Sequence, residues 1–391
     1  MSARLPRDLH PVAWWLWAIG LAVAASLTTN PYLLLLLVGT ATLTVLARRG
    51  DQPWSRSFRL YLWLGLLVVV VRLVFRVLVG SGYPGTVVLD LPAWSLPLPE
   101  PVLAITFLGP VTLESLLGGL YDGMRLAAII VCVGAANALA NPKRLLRSVP
   151  PALYEIGTAL VVAVSVLPQL ADSVRRVRAA QALRAGDPAS RGRVRGLRRI
   201  VVPVLEDAFE RSLALAAGMD TRGYGRAGSA TPGQRRTTGA LMLTGLLGVC
   251  VGTYALLDQT GAVSRPVGRG FLLGGLLLAA GGLVSAGRRV ERTRYRPDRW
   301  RWPEVVVAAS GIAVAVVGVA LARGIEVDGR FLLDPQVAVA YPDLSAVPPV
   351  TLLALVGPLL GLVAAAAAPA PVLAARPDPV ALRRREPAVA A

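Results

Sequence analysis

Long apolar runs, each close to the length that crosses a bilayer, recur throughout this sequence of 391 residues. A membrane-spanning helix needs about 20 mostly apolar residues, because the hydrocarbon core is roughly 30 Å thick. The composition agrees, with 54% hydrophobic residues and a mean hydropathy of +0.59. We therefore predict an all-α polytopic membrane protein with about eight transmembrane helices. The candidate spans are residues 12–29, 31–47, 60–79, 121–140, 239–257, 270–287, 304–322 and 351–373.

Arginines gather between the apolar runs, and their uneven distribution predicts the orientation of the chain. Residues 48–59 hold four arginines, whereas residues 80–110 hold no lysine or arginine. This places the first interval in the cytoplasm and the second outside, and it makes 258–269 and 323–350 external as well. We expect a multi-pass protein of a bacterial cell membrane with both termini cytoplasmic. Since the net charge of +18 lies mainly beside apolar runs, we expect a lipid bilayer and no nucleic acid as partner.

The first apolar run follows Arg4 and Arg7, which is also a feature of secretory signal peptides. It contains three tryptophans, and Pro31 opens a second apolar segment almost at once. We favour the first span of a tight helical hairpin, with a cleaved signal as the alternative.

A polar interval separates the first four predicted spans from the last four. Within it, residues 156–167 form an apolar stretch of only twelve residues before Pro168, between two basic segments. We expect a buried or interfacial helix on the cytoplasmic side. The alternative is a crossing at 152–170, with the topology adjusted elsewhere. The predicted divisions are an N-terminal membrane bundle (1–141), a cytoplasmic helical unit (142–237), C-terminal membrane spans (238–375) and a cytoplasmic tail (376–391).

Two helix-compatible segments of this cytoplasmic interval end in an arginine followed closely by glycine. The first reaches Arg184, two residues before Gly186, and the second reaches Arg222, directly before Gly223. Glycine adopts the left-handed conformation that commonly ends a helix, so each arginine is expected at a helix end. There it can present a fixed positive charge to another protein. The alternative is that both arginines only offset the negative end of the helix dipole, which is worth about 0.3–1 kcal/mol.

The second of these segments, residues 200–222, has the periodicity of an amphipathic helix. Its apolar or small side chains fall within one sector of about 100° at helical spacing. The members of this sector are Val201, Leu205, Ala208, Leu215 and Met219. The charged residues outside it are Glu206, Asp207, Glu210 and Arg211.

Four stretches resemble, in order, parts of the transmembrane T component (EcfT/CbiQ-like) of energy-coupling-factor ABC transporters, the family that includes the cobalt-type permeases. They are Leu9-His10-Pro11, Asp122-Gly123-Met124-Arg125-Leu126, Ala180-Gln181 and Asp220-Thr221-Arg222-Gly223-Tyr224-Gly225. The resemblance covers roughly residues 8–257. It implies two cytoplasmic coupling helices, each of which inserts an arginine into a groove on one of two ATP-binding-cassette ATPase subunits. It also implies a separate small membrane protein, the S component, which binds the vitamin or metal ion.

By this resemblance, the residues that couple to the ATPases are Ala180, Gln181, Arg184, Gly186, Asp220, Arg222 and Gly223. Both motifs depart from the Ala-Arg-Gly pattern of the family, so only the arginines match fully. We expect a coupling subunit that transmits ATP-driven motion of the ATPases to the S component, for uptake of a vitamin or transition-metal ion.

We expect that this chain is not an enzyme. It contains no GxxxxGK[ST] phosphate-binding motif, so ATP hydrolysis must come from partner subunits. Cys132 and Cys250 lie in separate apolar runs, and His10 is the only histidine. We therefore expect no catalytic residues, no His/Cys metal site and no cofactor.

Two arginines four residues apart, Arg72 and Arg76, lie within a predicted span. A charged side chain at the centre of a membrane helix costs about 2.5–3.5 kcal/mol, so a counter-charge is expected from Asp122 or Glu114. We predict an ion pair that stabilises the bundle, with a substrate path as the alternative. Two glycines spaced for close helix packing lie beside these acids, Gly119 and Gly123.

Two other classes of function remain open from the sequence. An integral membrane enzyme of lipid metabolism is the second hypothesis, because Asp122-Gly123 resembles the opening of a phosphatidyltransferase motif. The later glycine and paired aspartates of that motif are absent. A channel or secondary transporter that works alone is the third, and the sequence offers neither an internal repeat nor an acidic relay beyond Asp122.

Overall fold

The structure is a computed structural model. Nearly all of the regular secondary structure that it describes is helical. The described residues are 7–79, 85–96, 105–148, 154–184, 193–223, 231–258, 264–288, 299–327, 330–343 and 346–371. The helices are α1 (Pro11–Ser26), α2 (Pro31–Arg48), α3 (Phe58–Leu78), α4 (Leu113–Leu139), α5 (Pro142–Arg147), α6 (Tyr154–Arg184), α7 (Arg193–Thr221), α8 (Pro232–Leu257), α9 (Arg265–Gly287), α10 (Trp302–Arg323), α11 (Pro335–Ala338), α12 (Leu352–Leu360) and α13 (Val363–Ala367). A 3-10 turn at Pro53–Ser57 precedes α3.

Three small antiparallel sheets of two strands each lie between these helices. The first two, β1 with β4 and β2 with β3, precede α4, and the third, β5 with β6, follows α10. The strands are β1 (Val87–Asp90), β2 (Trp94–Leu96), β3 (Ile105–Phe107), β4 (Pro110–Thr112), β5 (Ile325–Val327) and β6 (Arg330–Leu333). Both groups fall in intervals that the arginine distribution predicts to be external.

Seven of the described helical segments are long and apolar enough to cross a membrane, by length and composition. They are Pro31–Arg48, Ser55–Leu78, Leu113–Leu139, Ile156–Leu183, Pro232–Leu257, Arg265–Gly287 and Trp302–Arg323. Two shorter apolar helical segments, Pro11–Ser26 and Leu352–Ala367, cover the first and last predicted spans. The all-α polytopic membrane class is confirmed.

The last predicted span, 351–373, is not one continuous helix. It divides into α12 and α13 at Gly361 and Leu362. Pro358 lies near the end of α12, where its ring cannot supply a backbone donor, and Gly361 lowers the helix propensity of the following turn. The two short helices then pack on α10 and α2.

The prediction that a short helix ends before Pro168 is wrong. Residues on both sides of Pro168 form the single helix α6, which has 31 residues. One proline removes one backbone donor, and apolar helices tolerate this where local adjustment satisfies the freed carbonyl. Short length therefore gives no argument against a crossing by this segment. The cytoplasmic placement of 142–237 stays a prediction that rests on its basic flanks.

The chain forms two compact units, Met1–Leu145 with Asp298–Ala391, and Leu146–Pro297. This division differs from the predicted one, in which the spans of 238–375 stood together. Helices α8 and α9 belong to the second unit with α6 and α7, whereas α10 to α13 belong to the first. The reason is that α10 packs on α1 and α12 packs on α2. These contacts join positions about 300 residues apart, so the local periodicity of the sequence does not predict them.

In the first unit, α1 lies between α4 and α10. It meets α10 backbone to backbone: a Cβ built on Gly20 would lie only 2.0 Å from the carbonyl oxygen of Gly311. The indole of Trp17 is completely buried, and its Nε1 donates to the carbonyl oxygen of Gly361 at 3.0 Å. Close backbone contact of this kind favours helix association in lipid, where apolar burial alone gives little preference for protein neighbours.

The α1–α2 turn is held by polar contacts at the same end of the unit as β5 and β6. Asn30 is completely buried, and its Nδ2 donates to the carbonyl oxygens of Val337 and Pro349, both at 2.9 Å. Its Oδ1 also accepts from the backbone N–H of Tyr32, which caps the start of α2. One side chain therefore starts a helix and fixes the segment that follows α10.

A glycine-to-alanine pair tests the α1–α10 contact. We expect Gly20→Ala to lower the melting temperature in detergent, because the added methyl group must displace backbone atoms of Gly311, at a typical overpacking cost of about 1–3 kcal/mol. The matched control is Gly39→Ala on α2, whose Cβ meets nothing within 4 Å. Equal melting temperatures for the two variants would contradict this packing.

Cysteine accessibility tests the placement of the interval around residue 190. In a variant without Cys132 and Cys250, we expect Ser190→Cys to resist a membrane-impermeant maleimide in intact cells and to react after lysis. The reason is that arginines flank residue 190 on both sides. Labelling of intact cells would show that α6 crosses and that the orientation has to be revised.

Candidate functional site

The α6–α7 pair carries the residues that the sequence singles out. Arg184 is the last residue of α6, and Arg222 follows the last residue of α7. At the second end, Gly223 has φ of +74°, and its N–H donates to the carbonyl oxygen of Asp220 at 2.9 Å. A glycine in this left-handed conformation ends the helix as predicted. The side chain of Arg222 is exposed, while Gly186 and the side chain of Arg184 lie outside the described residues.

The two helices run antiparallel. Ser173 contacts Asp207, and Gln181 contacts Arg199. Each step forward along α6 is therefore matched by an equal step backward along α7. In this register Arg184 lies beside position 196 of α7. Arg222 is 26 residues farther along the chain, which is about 39 Å at the helical rise of 1.5 Å per residue. The two arginines therefore lie at opposite ends of the pair.

Gln181 fixes the end of α6 to the start of α7. Its Nε2 donates to the carbonyl oxygen of Arg199 at 2.5 Å. The neighbouring Ala180 is exposed, as is Asp220 at the other end of the pair. Of the residues around the two arginines, Gln181 thus has a positioning contact in this structure, and Asp220 contributes its carbonyl oxygen to the turn at Gly223.

A polar cluster holds the middle of the pair. The hydroxyl of Ser173 donates to Asp207 Oδ2 at 2.5 Å, and Arg211 contacts both carboxylate oxygens, at 3.0 and 2.9 Å. Arg176 of α6 lies 3.4 Å from the same Oδ2. The Ser173 hydrogen bond, followed by the two arginines, holds the pKa of Asp207 below its ordinary value, against the opposing effect of partial desolvation. We call these four residues the Asp207 cluster.

Asp207 lies on the side of α7 that faces α6, and much of the apolar surface of α7 is exposed. Leu205, Phe209 and Leu213 are 48%, 65% and 70% exposed and follow one another at intervals of four residues. Of the predicted apolar sector, Val201, Leu205 and Leu215 are exposed, whereas Ala208 and Met219 are half-buried. The helix is amphipathic, and Asp207 on its polar side makes an ion pair and a hydrogen bond to α6. We call Leu205, Phe209 and Leu213 the α7 ridge.

The predicted intramembrane ion pair is not formed by Arg72 among the described residues. Gly123 packs against the Cβ of Arg72, and Gly119 against the stem of Arg76. Glu114 lies nine residues before Gly123, about 14 Å along the helix, so it cannot reach the level of Arg72. It accepts instead from the backbone N–H of Thr86 at 2.9 Å.

The other two groups of that prediction also have different surroundings. Asp122 is displaced by about 100° around α4 from Gly123, which faces α3, so its side chain starts on another side of the helix. The Nε of Arg76 donates to the carbonyl oxygen of Ser115 at 3.2 Å. The two helices therefore meet through glycines and arginine stems.

One charged pair that the sequence did not predict lies in the first unit. Glu304 is 1% exposed, and its Oε2 accepts from Arg7 Nη2 at 2.9 Å and from the backbone N–H of Arg301 at 3.2 Å. An acid at the third position of a helix is a recognisable capping signal. Its partner Arg7 is 297 residues away in the chain, and no local sequence pattern indicates that the two residues pair.

Comparison with known families assigns the chain to a class. The sequence model of CbiQ, described as a cobalt transport protein, matches residues 2–232, more than half of the chain. The chain belongs to the CbiQ family. The match ends at the first residue of α8 and includes both α6 and α7 with their terminal arginines. No curated protein matches the chain.

The pH dependence of the Asp207 cluster gives a test of the α6–α7 contact. A carboxylate with a lowered pKa stabilises the folded contact above its unfolded pKa, and this contribution is lost as the pH falls through the folded pKa. We therefore expect amide protection factors in α7 to be high at neutral pH and to fall below about pH 4. Asp207→Asn should lower protection at neutral pH and remove the acid-dependent change.

The matched control for this experiment is Glu206→Gln, which neutralises the exposed neighbouring acid. It should leave both the protection factors and their pH dependence as in the wild type. Equal behaviour of the Asp207 and Glu206 variants across the pH range would mean that the cluster does not hold the two helices together.

Proposed function

We propose that this CbiQ-family chain is the transmembrane coupling subunit of an energy-coupling-factor transporter. It transmits the ATP-driven motion of two ATPase subunits to a separate substrate-binding membrane subunit, the S component. The cargo is a transition-metal ion, with cobalt favoured by the family, or a vitamin. The observation that carries the proposal is the exposed Arg222 at a helix end closed by a left-handed Gly223.

The chemistry of arginine suits this role. A guanidinium stays charged and offers five donors in a planar fork, so it can engage carboxylates or carbonyls in a groove and keep its orientation. A helix end places that fork at a fixed position, because the backbone turns away at the following glycine. Movement of the ATPase groove is then passed to the helix as a displacement of its end.

The spacing of the two arginines supports engagement of two ATPases. They lie at opposite ends of the α6–α7 pair, about 39 Å apart along the helix axis. Two subunits can therefore bind without competing for one surface. The Asp207 cluster and the Gln181 contact join the two helices, so motion at one end can reach the other through a connected element.

The α7 ridge supports a protein partner beside the arginines. Large apolar side chains in a row on an exposed helix face are typical of interaction surfaces, where aromatic and aliphatic anchors supply much of the binding energy. Phe209 at the centre of the ridge is 65% exposed. Membership of a transport family, together with this surface, favours the coupling role over a membrane enzyme of lipid metabolism.

Charge reversal tests the proposal. Arg222→Glu should sharply reduce co-purification of the ATPase subunits, because a like charge then faces the groove; loss of a buried charged contact typically costs about 2–5 kcal/mol. Arg184→Glu should act in the same way at the other ATPase, and the double variant should abolish stable association and transport. Expression and membrane insertion should stay near the wild-type level, since Arg222 is exposed.

The matched control is Arg265→Glu, which reverses an exposed arginine at the start of α9, in the interval that is predicted to be external. It should leave ATPase association unchanged. If the two arginines only offset helix dipoles, each reversal would cost less than about 1 kcal/mol of stability and the double variant would still bring down the ATPases. That result would reject the coupling role.

A further inference from the structure

A groove of about 520 Å³ opens along the seam between α1 and α10. This volume falls within the range of roughly 300–1,000 Å³ that is usual for small-molecule sites. The walls are aliphatic, and they include Leu16, Ile19, Val23, Ile312, Val316 and Val319. The one charged residue that lines the groove is Arg323, the last residue of α10.

The groove follows from the way the two helices pack. Gly311 meets the backbone of Trp17, and Gly318 meets Ala24, seven residues farther along each helix. The helices therefore run parallel in close contact, and the side chains that flank the seam form the two walls. From Ile312 to Arg323 the groove extends over eleven residues, or about 17 Å. One leaflet of the hydrocarbon core is about 15 Å thick, so the length suits a single acyl chain.

Arg323 stands where the headgroup of such a lipid would lie. Its side chain is exposed, and among the described residues it has no acid within ion-pair distance. Gly324, with φ of +73°, turns the chain from α10 into β5, where Ile325 continues the groove wall. Glu326, three residues beyond Arg323 in the chain, is exposed. A guanidinium in this position can bind a phosphate through two parallel hydrogen bonds.

We propose that the α1–α10 groove is a binding site for one phospholipid, with an acyl chain along the seam and the phosphate on Arg323. By the predicted orientation, the lipid comes from the external leaflet. An aliphatic groove alone would accept a transmembrane helix of another protein equally well. The arginine at the level of the headgroups is the feature that selects a phosphate.

Lipid retention by the purified full-length chain tests the site. The chain is incubated with equal amounts of phosphatidylglycerol and of diacylglycerol with the same acyl chains, and bound lipid is counted by native mass spectrometry. The wild type should retain phosphatidylglycerol about fivefold better, the effect of one arginine on an anionic headgroup. Arg323→Gln should equalise the two lipids. Ala315→Trp, which fills the groove, should reduce both.

Two controls and a second blocking variant keep the outcome decisive. Arg265→Gln removes an exposed arginine at the start of α9, and Leu277→Trp adds a large side chain at a position 73% exposed; neither should change lipid binding. Val316→Trp repeats the block from a position 60% exposed on α10. The proposal is overturned if Arg323→Gln keeps the preference, or if both tryptophan variants in the groove retain lipid as the wild type does. It is also overturned if a co-purified membrane protein, and not lipid, is lost from those variants.

Discussion

The contact between the backbones of α1 and α10 is the constraint on which the first unit depends. In a bilayer, helices gain little from burying apolar side chains against one another, so close approach and well-placed polar contacts must supply the preference for protein neighbours. Gly20 and Gly311 allow that approach, and the bonds from Trp17 to Gly361 and from Arg7 to Glu304 fix it at two further points. Helices α10 to α13, which lie beyond the family match, thereby become part of the unit that contains α1 to α4.

The second unit uses a different device at the point where function is proposed. There, α6 and α7 are joined by the polar Asp207 cluster, and the α7 ridge stays exposed. A helix pair joined through its polar residues keeps apolar side chains available for another protein. In the proposed function, the arginine at each end would give that interaction a fixed charge and orientation. Polar joining, an exposed ridge and terminal arginines are together the features expected of an element that transmits motion between subunits.

Local chemistry made much of this predictable from the sequence. The lengths of the apolar runs predict most of the spans, and the glycine after Arg222 predicts a helix end that the structure shows. The predictions failed in two situations: where a helix accommodates an unfavourable residue, and where residues far apart in the sequence make the contact. A helix was expected to end before Pro168, but α6 continues through this residue. Arg7 pairs with Glu304, and no periodic pattern in the sequence relates these two residues. Asp122 was expected to pair with Arg72, but among the described residues no ion pair joins them.

The proposed coupling requires that Arg222 contacts an ATPase subunit during the transport cycle. Site-specific photocrosslinking tests it directly: a photoreactive residue replaces Arg222 in one variant and the exposed Arg265 in another, and native membranes are irradiated with and without ATP. We expect crosslinks from position 222 to an ATPase subunit, changed in yield by ATP, and no crosslinks to an ATPase subunit from position 265. Crosslinks from position 222 to lipid alone, under both conditions, would contradict it.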